Sequence, residues 1–224
     1  MNLDTYKNGF HISSKDLFDI NEKVKNEFEN VFQKEKFQSE YLNTSIIENI
    51  DDIMNYPEIY RIFGEIINIL KKNNYYNKIK FDDIWFIKST QQIFKSGQLP
   101  YIPHIDKVRK FKVMIYLNDV DIEDGPINFI KIDPEKFENF RKNLKSDYKT
   151  RQENLIKDYP LGEYEPVSGL FGTTIFFDTN TPHFAGKLEK NFATRKAIRF
   201  NFRYFEKKNK IKLILAKLSK LFSN

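Results

Sequence analysis

The sequence contains no cysteine and only three histidines among its 224 residues. Without cysteine there is no disulfide framework, and thiolate-ligated zinc and iron–sulfur sites are excluded as well. A metal ion bound by this chain must therefore be held by histidine, aspartate or glutamate. Because histidine is so scarce, the place of each one in the sequence is informative.

Long apolar runs are also missing. No stretch reaches the roughly 18 consecutive apolar residues of a membrane span, and MNLDTYKNGF lacks the basic-then-apolar order of a secretion signal. By elimination we expect a soluble, cytoplasmic protein without a transmembrane segment. The net charge of +6 comes from basic residues dispersed among acidic ones, whereas a nucleic-acid-binding face needs clustered lysine and arginine. We expect no nucleic-acid partner, and an anionic small molecule fits this charge balance equally well.

What the chain has in quantity is aromatic and aliphatic material. Hydrophobic residues make up 40% of it and aromatic residues 16%, with 22 Phe and 12 Tyr. This is too apolar for a disordered segment and sufficient for one sizeable core. We predict a single domain over residues 1–205, with its oligomeric state left open.

The first part of the chain, residues 1–83, is predicted to be mainly helical. Apolar residues recur at helical spacing through residues 13–35, behind Ser13 or Ser14 as a candidate N-cap, and again through residues 56–73, where Pro57 suits a first turn. Each helix has one apolar face to bury.

From residue 84 to residue 205 the pattern changes to short runs rich in Phe, Ile, Val and Tyr, which predict strands. The runs are IWFIKS, KFKVMIYLND, GPINFIKI, GTTIFFDT and RKAIRFNFRYF. Helices followed by antiparallel-type strands indicate an α+β fold, in which a barrel or sandwich carries the N-terminal helices on the outer face of its main sheet.

Two charged segments have open roles. Residues 133–165 are long for a connection, and they fit either a solvated helical insertion or a lid over a site. Residues 206–224 form a basic amphipathic pattern that predicts a C-terminal helix. We expect it to pack on the body or on a second subunit; peripheral contact with an anionic membrane is the alternative.

The stretch YIPHIDKV places His104 and Asp106 two positions apart. If the segment is extended, both side chains point to one face. A third ligand is available in TIFFDTNTPHFAG, where an apolar strand runs into a turn that delivers His183. Two histidines and one carboxylate are the ligand set of non-heme Fe(II) oxygenases. The alternative is an exposed pair on an edge strand, which the preceding Pro103 would suit.

Alternation along ATRKAIRFNFRYF places Arg195, Ala197, Arg199 and Asn201 on one face. If the opposite, apolar face packs under the helices, the arginines look into the barrel, where they need anionic partners. A dicarboxylate such as 2-oxoglutarate supplies one, and a structural salt bridge is the alternative. The same parity argument places Tyr116 near the cosubstrate, with ordinary core packing as the alternative.

Taken together, these motifs resemble the phytanoyl-CoA dioxygenase-like family of Fe(II)- and 2-oxoglutarate-dependent oxygenases. The resemblance covers most of the chain, through TYKNGFHI, SSKDLFDINEKV, HID, MIYLNDVDIEDGPINFI, GTTIFFDTNTPHFAG and RKAI. It implies a double-stranded β-helix of the jelly-roll or cupin type. It also implies that His104, Asp106 and His183 bind Fe(II) and that Arg195 binds the C5 carboxylate of 2-oxoglutarate.

The expected function is a dioxygenase that uses Fe(II), 2-oxoglutarate and dioxygen to hydroxylate a small molecule, with an anionic or carrier-linked compound as the candidate substrate. Arg199 is expected to contact an anionic group of that substrate or to share in anchoring the cosubstrate. Two alternatives remain. One is an oxygenase of the same type that performs desaturation or epimerisation, and the other is a non-catalytic cupin-like protein that binds an anionic ligand.

Overall fold

The computed structural model describes residues 3–13, 17–34, 37–38, 43–75, 77–90, 99–142, 158–190 and 194–205. The predicted C-terminal helix and residues 143–157 of the charged insertion lie outside the described residues. Among the residues that are described, no helix is both long and apolar enough to cross a membrane.

The described residues contain five α-helices, three of which have only four or five residues. They are α1 (Thr5–Asn8), α2 (Glu22–Lys34), α3 (Ile50–Ile53), α4 (Pro57–Lys72) and α5 (Glu138–Lys142). Helix α4 begins and ends as predicted, with Pro57 in its first turn. Helix α2 begins at Glu22, so the predicted start at Ser13 or Ser14 is wrong. The cap is Asn21, whose side-chain oxygen accepts a hydrogen bond from the Lys23 backbone N–H at 3.0 Å.

In the part of the chain that the structure describes, ten strands form two antiparallel sheets. They are β1 (Phe10–Ser13), β2 (Phe37–Gln38), β3 (Asn43–Ile47), β4 (Ile79–Thr90), β5 (Lys110–Tyr116), β6 (Ile127–Phe129), β7 (Glu165–Val167), β8 (Thr174–Asp178), β9 (His183–Ala185) and β10 (Thr194–Tyr204). The seven-stranded major sheet has the order β1-β8-β5-β10-β4-β3-β2, and the three-stranded minor sheet has the order β7-β6-β9.

All five predicted strand runs are strands in the structure, as β4, β5, β6, β8 and β10. The sequence did not predict β1, β2, β3, β7 or β9. These strands have two to five residues each, too few for alternation to stand out from the surrounding sequence. Three of them, together with the start of β4 at Ile79, lie in the part of the chain predicted to be mainly helical.

The outer face of the major sheet carries the N-terminal helices, as predicted. Ile198, Phe200 and Phe202 of β10 join one buried cluster with residues of α2 and α4. The two helices are also tied together, because the Glu27 carboxylate accepts hydrogen bonds from the first backbone N–H groups of α4, at 3.1 Å from Glu58 and 2.9 Å from Ile59. This contact supplies the cap that Tyr56 lacks.

The two sheets pack face to face over a second, smaller cluster. It contains Phe10, Met114, Tyr116, Ile175, Phe177 and Ala197 from the major sheet and Phe129 and Val167 from the minor sheet. The cluster fills one part of the space between the sheets and leaves a cavity in the rest. The chain is therefore a two-layered antiparallel β-structure with helices on one outer face, and its interior is available for a site.

Candidate metal centre

The backbone brings His104 and His183 together directly. The two residues form an antiparallel bridge and exchange both backbone hydrogen bonds, at 3.0 and 2.9 Å. Opposed residues of this kind present their side chains to the same face. The imidazole ring centroids are accordingly 4.5 Å apart.

Asp106 completes the cluster from a loop. Residues 101–108 are not an extended strand, the conformation on which the expected convergence of His104 and Asp106 depended; their pairing is limited to the bridge at His104. Pro103 has no N–H to donate to a neighbouring strand. The backbone N–H of Asp106 donates to the Thr179 carbonyl at 3.1 Å. The outcome for the side chains is nevertheless the predicted one, because Asp106 Oδ1 lies 3.8 Å from Nε2 of each histidine.

The hydrogen bonds of the imidazoles prepare both rings as ligands. Nδ1 of His104 donates to the Ile102 carbonyl at 2.7 Å, and Nδ1 of His183 donates to the Thr181 carbonyl at 2.8 Å. With Nδ1 protonated in this way, the lone pair of each neutral ring is on Nε2, which faces Asp106. Burial lowers the pKa of His104, and it lowers the pKa of His183 to about 3 with help from the neighbouring His104. Both rings are thus neutral at neutral pH.

One nitrogen from each histidine and one oxygen from Asp106 lie within 4.8 Å of one another. A metal ion that takes nitrogen and oxygen ligands at about 2.0–2.2 Å fits between three atoms so spaced. The donors are two neutral imidazoles and one carboxylate, the set that leaves further coordination positions open on iron. The residues present therefore fit a divalent metal ion.

The loop that carries the ligands is supported from behind. Ile105, between the two ligands, points the opposite way and packs in a small cluster with Phe137, Phe140 and Tyr159. These aromatic residues belong to the described ends of the charged insertion. The described part of the insertion thus supports the back of the metal-binding loop, and its predicted role as a lid remains a prediction.

A charged network holds the two ligand segments to the insertion. Arg109, next to the first segment, pairs with Asp178 at 2.7 Å, and Tyr204 donates to the same carboxylate at 2.8 Å. Asn180, next to the second segment, donates to Glu138 of α5 at 2.7 Å. Because these groups are largely buried and bonded to one another, they fix the relative position of the two segments that carry His104 and His183.

A cavity of about 260 Å³ opens beside the three ligands, between the two sheets. Its wall combines apolar side chains with several cations. The lining residues are Trp85, Ile87, Pro100, His104, Asp106, Lys110, Lys112, Met114, Ile127, Phe177, His183, Ala185, Arg195, Ala197 and Arg199. A mostly apolar wall with a few convergent polar groups is typical of a small-molecule site.

Arg195 lines this cavity, on the face of β10 that alternation predicted. Arg195 is 6% exposed, and the hydrogen bond that its Nη2 donates to Ser89 Oγ is long, at 3.4 Å. Nη1 has no hydrogen-bond partner among the described residues. Burial lowers the pKa of Arg195, yet an arginine stays charged, so this guanidinium is available for an anion.

Arg199 also lines the cavity. Its guanidinium carbon lies 4.4 Å from the ring centroid of Trp85, a cation–π contact, and its Nε has no hydrogen-bond partner among the described residues. The predicted alternative of a structural salt bridge is not what the described residues show for either arginine, since neither makes an ion pair with them.

Tyr116 is placed differently from the prediction. It is fully buried in the cluster between the sheets, where its hydroxyl donates to the Val167 carbonyl at 2.9 Å and accepts from the Ile127 N–H at 3.3 Å. It is not among the residues that line the cavity. With its hydroxyl already bonded on both sides, Tyr116 packs behind the site, and the alternative reading of ordinary core packing describes it.

Sequence reasoning missed Lys112, which is 6% exposed and lines the cavity. Its Nζ pairs with Asp106 Oδ2 at 2.6 Å, which leaves Oδ1 toward the histidines. Burial lowers the pKa of Lys112 to about 8, and the positive charge of Arg199 adds to this shift. The pKa of Asp106 is lowered as well, because the charges of Lys112 and the two histidines outweigh burial, which alone would raise it. The signal was available, since Lys112 has the same strand parity as Met114 and Tyr116.

No family model matches this chain, and neither does any curated protein. Solved structures do. The carbocyclase SnoK from nogalamycin biosynthesis, described as a non-heme α-ketoglutarate-dependent enzyme, is 16% identical with a TM-score of 0.63, over 89% of this chain and 81% of that one. The epimerase SnoN from the same biosynthesis, described in the same terms, is 15% identical with a TM-score of 0.58, over 89% and 80%.

HygX from Streptomyces hygroscopicus, solved with nickel and 2-oxoglutarate bound, is 12% identical to this chain. The TM-score is 0.59, and the match covers 89% of this chain and 84% of HygX. At such low identities the likeness concerns the fold. The chain thus shares its fold with non-heme 2-oxoglutarate-dependent enzymes, and it carries a cluster of two histidines and one aspartate that can hold a metal ion.

Proposed function

We propose that this chain is an Fe(II)- and 2-oxoglutarate-dependent oxygenase that acts on a small molecule. The observation that carries the proposal is the convergence of His104 Nε2, His183 Nε2 and Asp106 Oδ1 at the wall of a cavity that also contains an arginine without an ion-pair partner among the described residues. The fold shared with SnoK, SnoN and HygX supports it.

The three ligands would hold iron through one face, and the cavity would receive cosubstrate and substrate at the other. When bound, iron and 2-oxoglutarate supply the oxidising chemistry, in which dioxygen and 2-oxoglutarate give succinate and CO2 while a C–H group of the substrate becomes C–OH. The chain itself fixes the ligand geometry. The paired His104 and His183 backbones, the bonds from Nδ1 and the Lys112 contact to Asp106 all serve that purpose.

Arg195 is the group that would hold the cosubstrate. Its free Nη1 and weakly bonded Nη2 can form a two-pronged pair with the distal carboxylate of 2-oxoglutarate. The low exposure of Arg195 strengthens such a pair because water competes poorly there. The apolar wall formed by Ile87, Met114 and Phe177 excludes water from the same space.

We further propose that the fold is a double-stranded β-helix and that the chain is of the phytanoyl-CoA dioxygenase-like type, as the sequence motifs indicate. Because position 106 retains the carboxylate ligand, hydroxylation is the favoured outcome. SnoK and SnoN, a carbocyclase and an epimerase of similar fold, favour a second candidate, in which the same metal and cosubstrate serve cyclisation, epimerisation or desaturation.

The proposal is tested by following 2-oxoglutarate conversion to succinate with Fe(II), with and without dioxygen. An oxygenase produces succinate only when dioxygen is present, slowly even without substrate, and His104→Ala abolishes the reaction. A cupin-like binding protein binds the dicarboxylate but forms no succinate under any of these conditions. Mass analysis of products from a metabolite mixture then separates a gain of one oxygen from loss of two hydrogens or no change in mass.

A further inference from the structure

The two cavity arginines lie at different ends of the site. Arg195 is opposite Ser89 of β4, and Arg199 is opposite Trp85 of the same strand. Four residues along a strand correspond to about 13 Å between Cα atoms. The guanidinium groups have correspondingly different contacts, Arg195 with Ser89 and Arg199 with Trp85, so the two arginines define two positions in the cavity.

Arg199 is the arginine on the side of the metal ligands. It is opposite Met114 of β5, and Lys112 is opposite Asn201, so Arg199 and Lys112 are diagonal neighbours on one face of the sheet. Diagonal neighbours of antiparallel strands are about 7–8 Å apart, within reach of two long side chains. Lys112 in turn contacts Asp106. Arg199 and Lys112 thus form a pair of cations beside the metal ligands.

The cations of the cavity differ in whether they are neutralised. Lys110 pairs with Asp82 at 2.6 Å and with Asp83 at 3.4 Å, and Lys112 pairs with Asp106. Arg195 and Arg199 make no ion pair with any described residue, and each has a nitrogen without a hydrogen-bond partner there. Holding a largely buried cation in this state costs stability, which a bound anion would restore.

The cosubstrate of the proposed function accounts for only one of these arginines. A dicarboxylate that chelates a metal through one end has a single free carboxylate, and Arg195 would take it. Lys112, Arg195, Arg199 and a divalent ion together exceed the charges of Asp106 and the dicarboxylate by two. This excess leaves Arg199 able to take a second anion, although the charges of Asp106 and Asp83 act on it from beyond ion-pair distance.

We propose that Arg199, stacked on Trp85 and supported by Lys112, binds an oxyanion group of the substrate, either a carboxylate or a phosphate. The inference rests on the proposed function and adds the chemical class of the substrate. Such a molecule has one anionic end against Arg199 and an apolar body against Met114 and Phe177, which puts a C–H group of that body near the metal ligands.

The test measures binding, by calorimetry, on protein loaded with Mn(II) and 2-oxoglutarate. The probes are inorganic phosphate and benzoate, which separate a phosphate site from a carboxylate site. Arg199→Gln should weaken binding of at least one probe by about 10- to 100-fold, the loss expected for a charge-assisted hydrogen bond of about 1.5–3 kcal/mol. The same variant should leave 2-oxoglutarate affinity within about twofold, whereas Arg195→Gln should lower it by about 10-fold or more.

Two variants control the result. Arg61→Gln removes an arginine of α4 that pairs with Glu58 and Glu65, away from the cavity, and should change neither affinity. Arg199→Lys keeps the charge and should bind the probe more tightly than Arg199→Gln. Equal probe affinity for Arg199→Gln and wild type would overturn the inference, and so would a loss of 2-oxoglutarate affinity as large as that of Arg195→Gln.

Failure of the proposed function has a different signature. In that case the wild-type protein would not bind 2-oxoglutarate in the presence of Mn(II). The probes are therefore also titrated into protein free of metal and cosubstrate, where dependence on Arg199 would still support the anion site. Absence of that dependence in both forms would reject the site whatever the outcome for the cosubstrate.

Discussion

The two faces of strand β10 differ in the kind of residue that each one buries. On the outer face Ile198, Phe200 and Phe202 are buried against the helices in a continuous apolar cluster. On the inner face Arg195 and Arg199 line a cavity without ion-pair partners among the described residues. One face of the strand thus stabilises the fold through apolar burial, and the other face carries charges that destabilise it.

The outer face of β10 therefore contributes to stability, and the inner face is the candidate for function. Buried apolar side chains stabilise a protein roughly in proportion to their area, so truncating them should lower the free energy of unfolding. Unpaired cations do the opposite, and a chain retains them where a ligand uses them. Variants of the inner face should therefore lose metal or ligand binding, whereas variants of the outer face should lose free energy of unfolding.

The largest effect is expected for His104→Ala at the inner site. Because the variant removes one of three protein ligands, metal-dependent succinate formation should fall below detection. The empty protein should remain folded, since a buried imidazole is lost without opening the outer cluster. Anaerobic titration with Fe(II) and thermal unfolding of the same sample check both parts. Retained succinate formation would show that the iron is bound elsewhere.

Phe200→Ala at the outer face should have the reverse signature. Phe200 is fully buried, and its ring lies 6.4 Å from that of Phe63 in α4, so the truncation leaves a cavity between sheet and helix. We expect a loss of about 3–5 kcal/mol in the free energy of unfolding. At low temperature, where the variant is still folded, its affinity for 2-oxoglutarate should be near that of wild type. Urea titration and calorimetry measure the two quantities.

The partly buried Phe171, which lies under Lys25, offers a matched control for that truncation. Phe171→Ala removes the same atoms from the margin of the cluster, so it should cost clearly less than Phe200→Ala. Equal losses would contradict the division between a stabilising core face and its surroundings.

Lys112→Met is expected to have an intermediate effect on metal binding. The variant removes the partner of Asp106 Oδ2, so the carboxylate is no longer held in one orientation. Loss of such a supporting contact typically lowers metal affinity by about 10- to 100-fold. Lys110→Met is the control, because Lys110 lies on the same strand face but pairs with Asp82 and Asp83. Mn(II) affinities that fall equally in both variants would refute a specific role for Lys112.

The smallest effect concerns Glu138, behind the ligand loop. Burial raises its pKa, but hydrogen bonds from Arg141, Asn180 and Lys142 outweigh burial and hold the pKa at about 2, below the usual 4.5. A depressed carboxyl pKa contributes stability that is present above about pH 4.5 and is lost as the pH falls toward 2. We expect Glu138→Gln to cost about 1 kcal/mol at pH 7, after allowance for solvent screening, and about half of that or less at pH 3. An equal cost at both pH values, measured by urea unfolding, would rule out this ionic contribution.

Much of the fold could be predicted because long strands and amphipathic helices repeat their pattern over many residues. The faces of β10 followed directly from alternation over eleven residues. Strands such as β2 and β7 have two or three residues, and tertiary pairing rather than local sequence determines them. The start of α2 was placed too early because Leu17 and Ile20 match a helical spacing, although they pack against the core before Asn21 begins the helix.

The metal ligands could be predicted because histidine is rare here and His104 and Asp106 are close in sequence. The contact of Lys112 with Asp106 joins a strand to a loop, and lysine in a strand ordinarily indicates solvent. The position of Tyr116 depends on which inward residues reach the cavity and which reach the minor sheet. Strand parity gives the face of a residue but not its position between the two sheets.

The central claim is that one iron site and one cosubstrate site share the cavity between the two sheets. A crystal structure of the protein with Mn(II) and 2-oxoglutarate tests it most directly. We expect a metal about 2.0–2.2 Å from His104 Nε2, His183 Nε2 and Asp106 Oδ1, and the distal carboxylate of 2-oxoglutarate paired with the Arg195 guanidinium. A metal bound away from these three atoms, or a carboxylate bound to Arg199 with Arg195 left free, would contradict it.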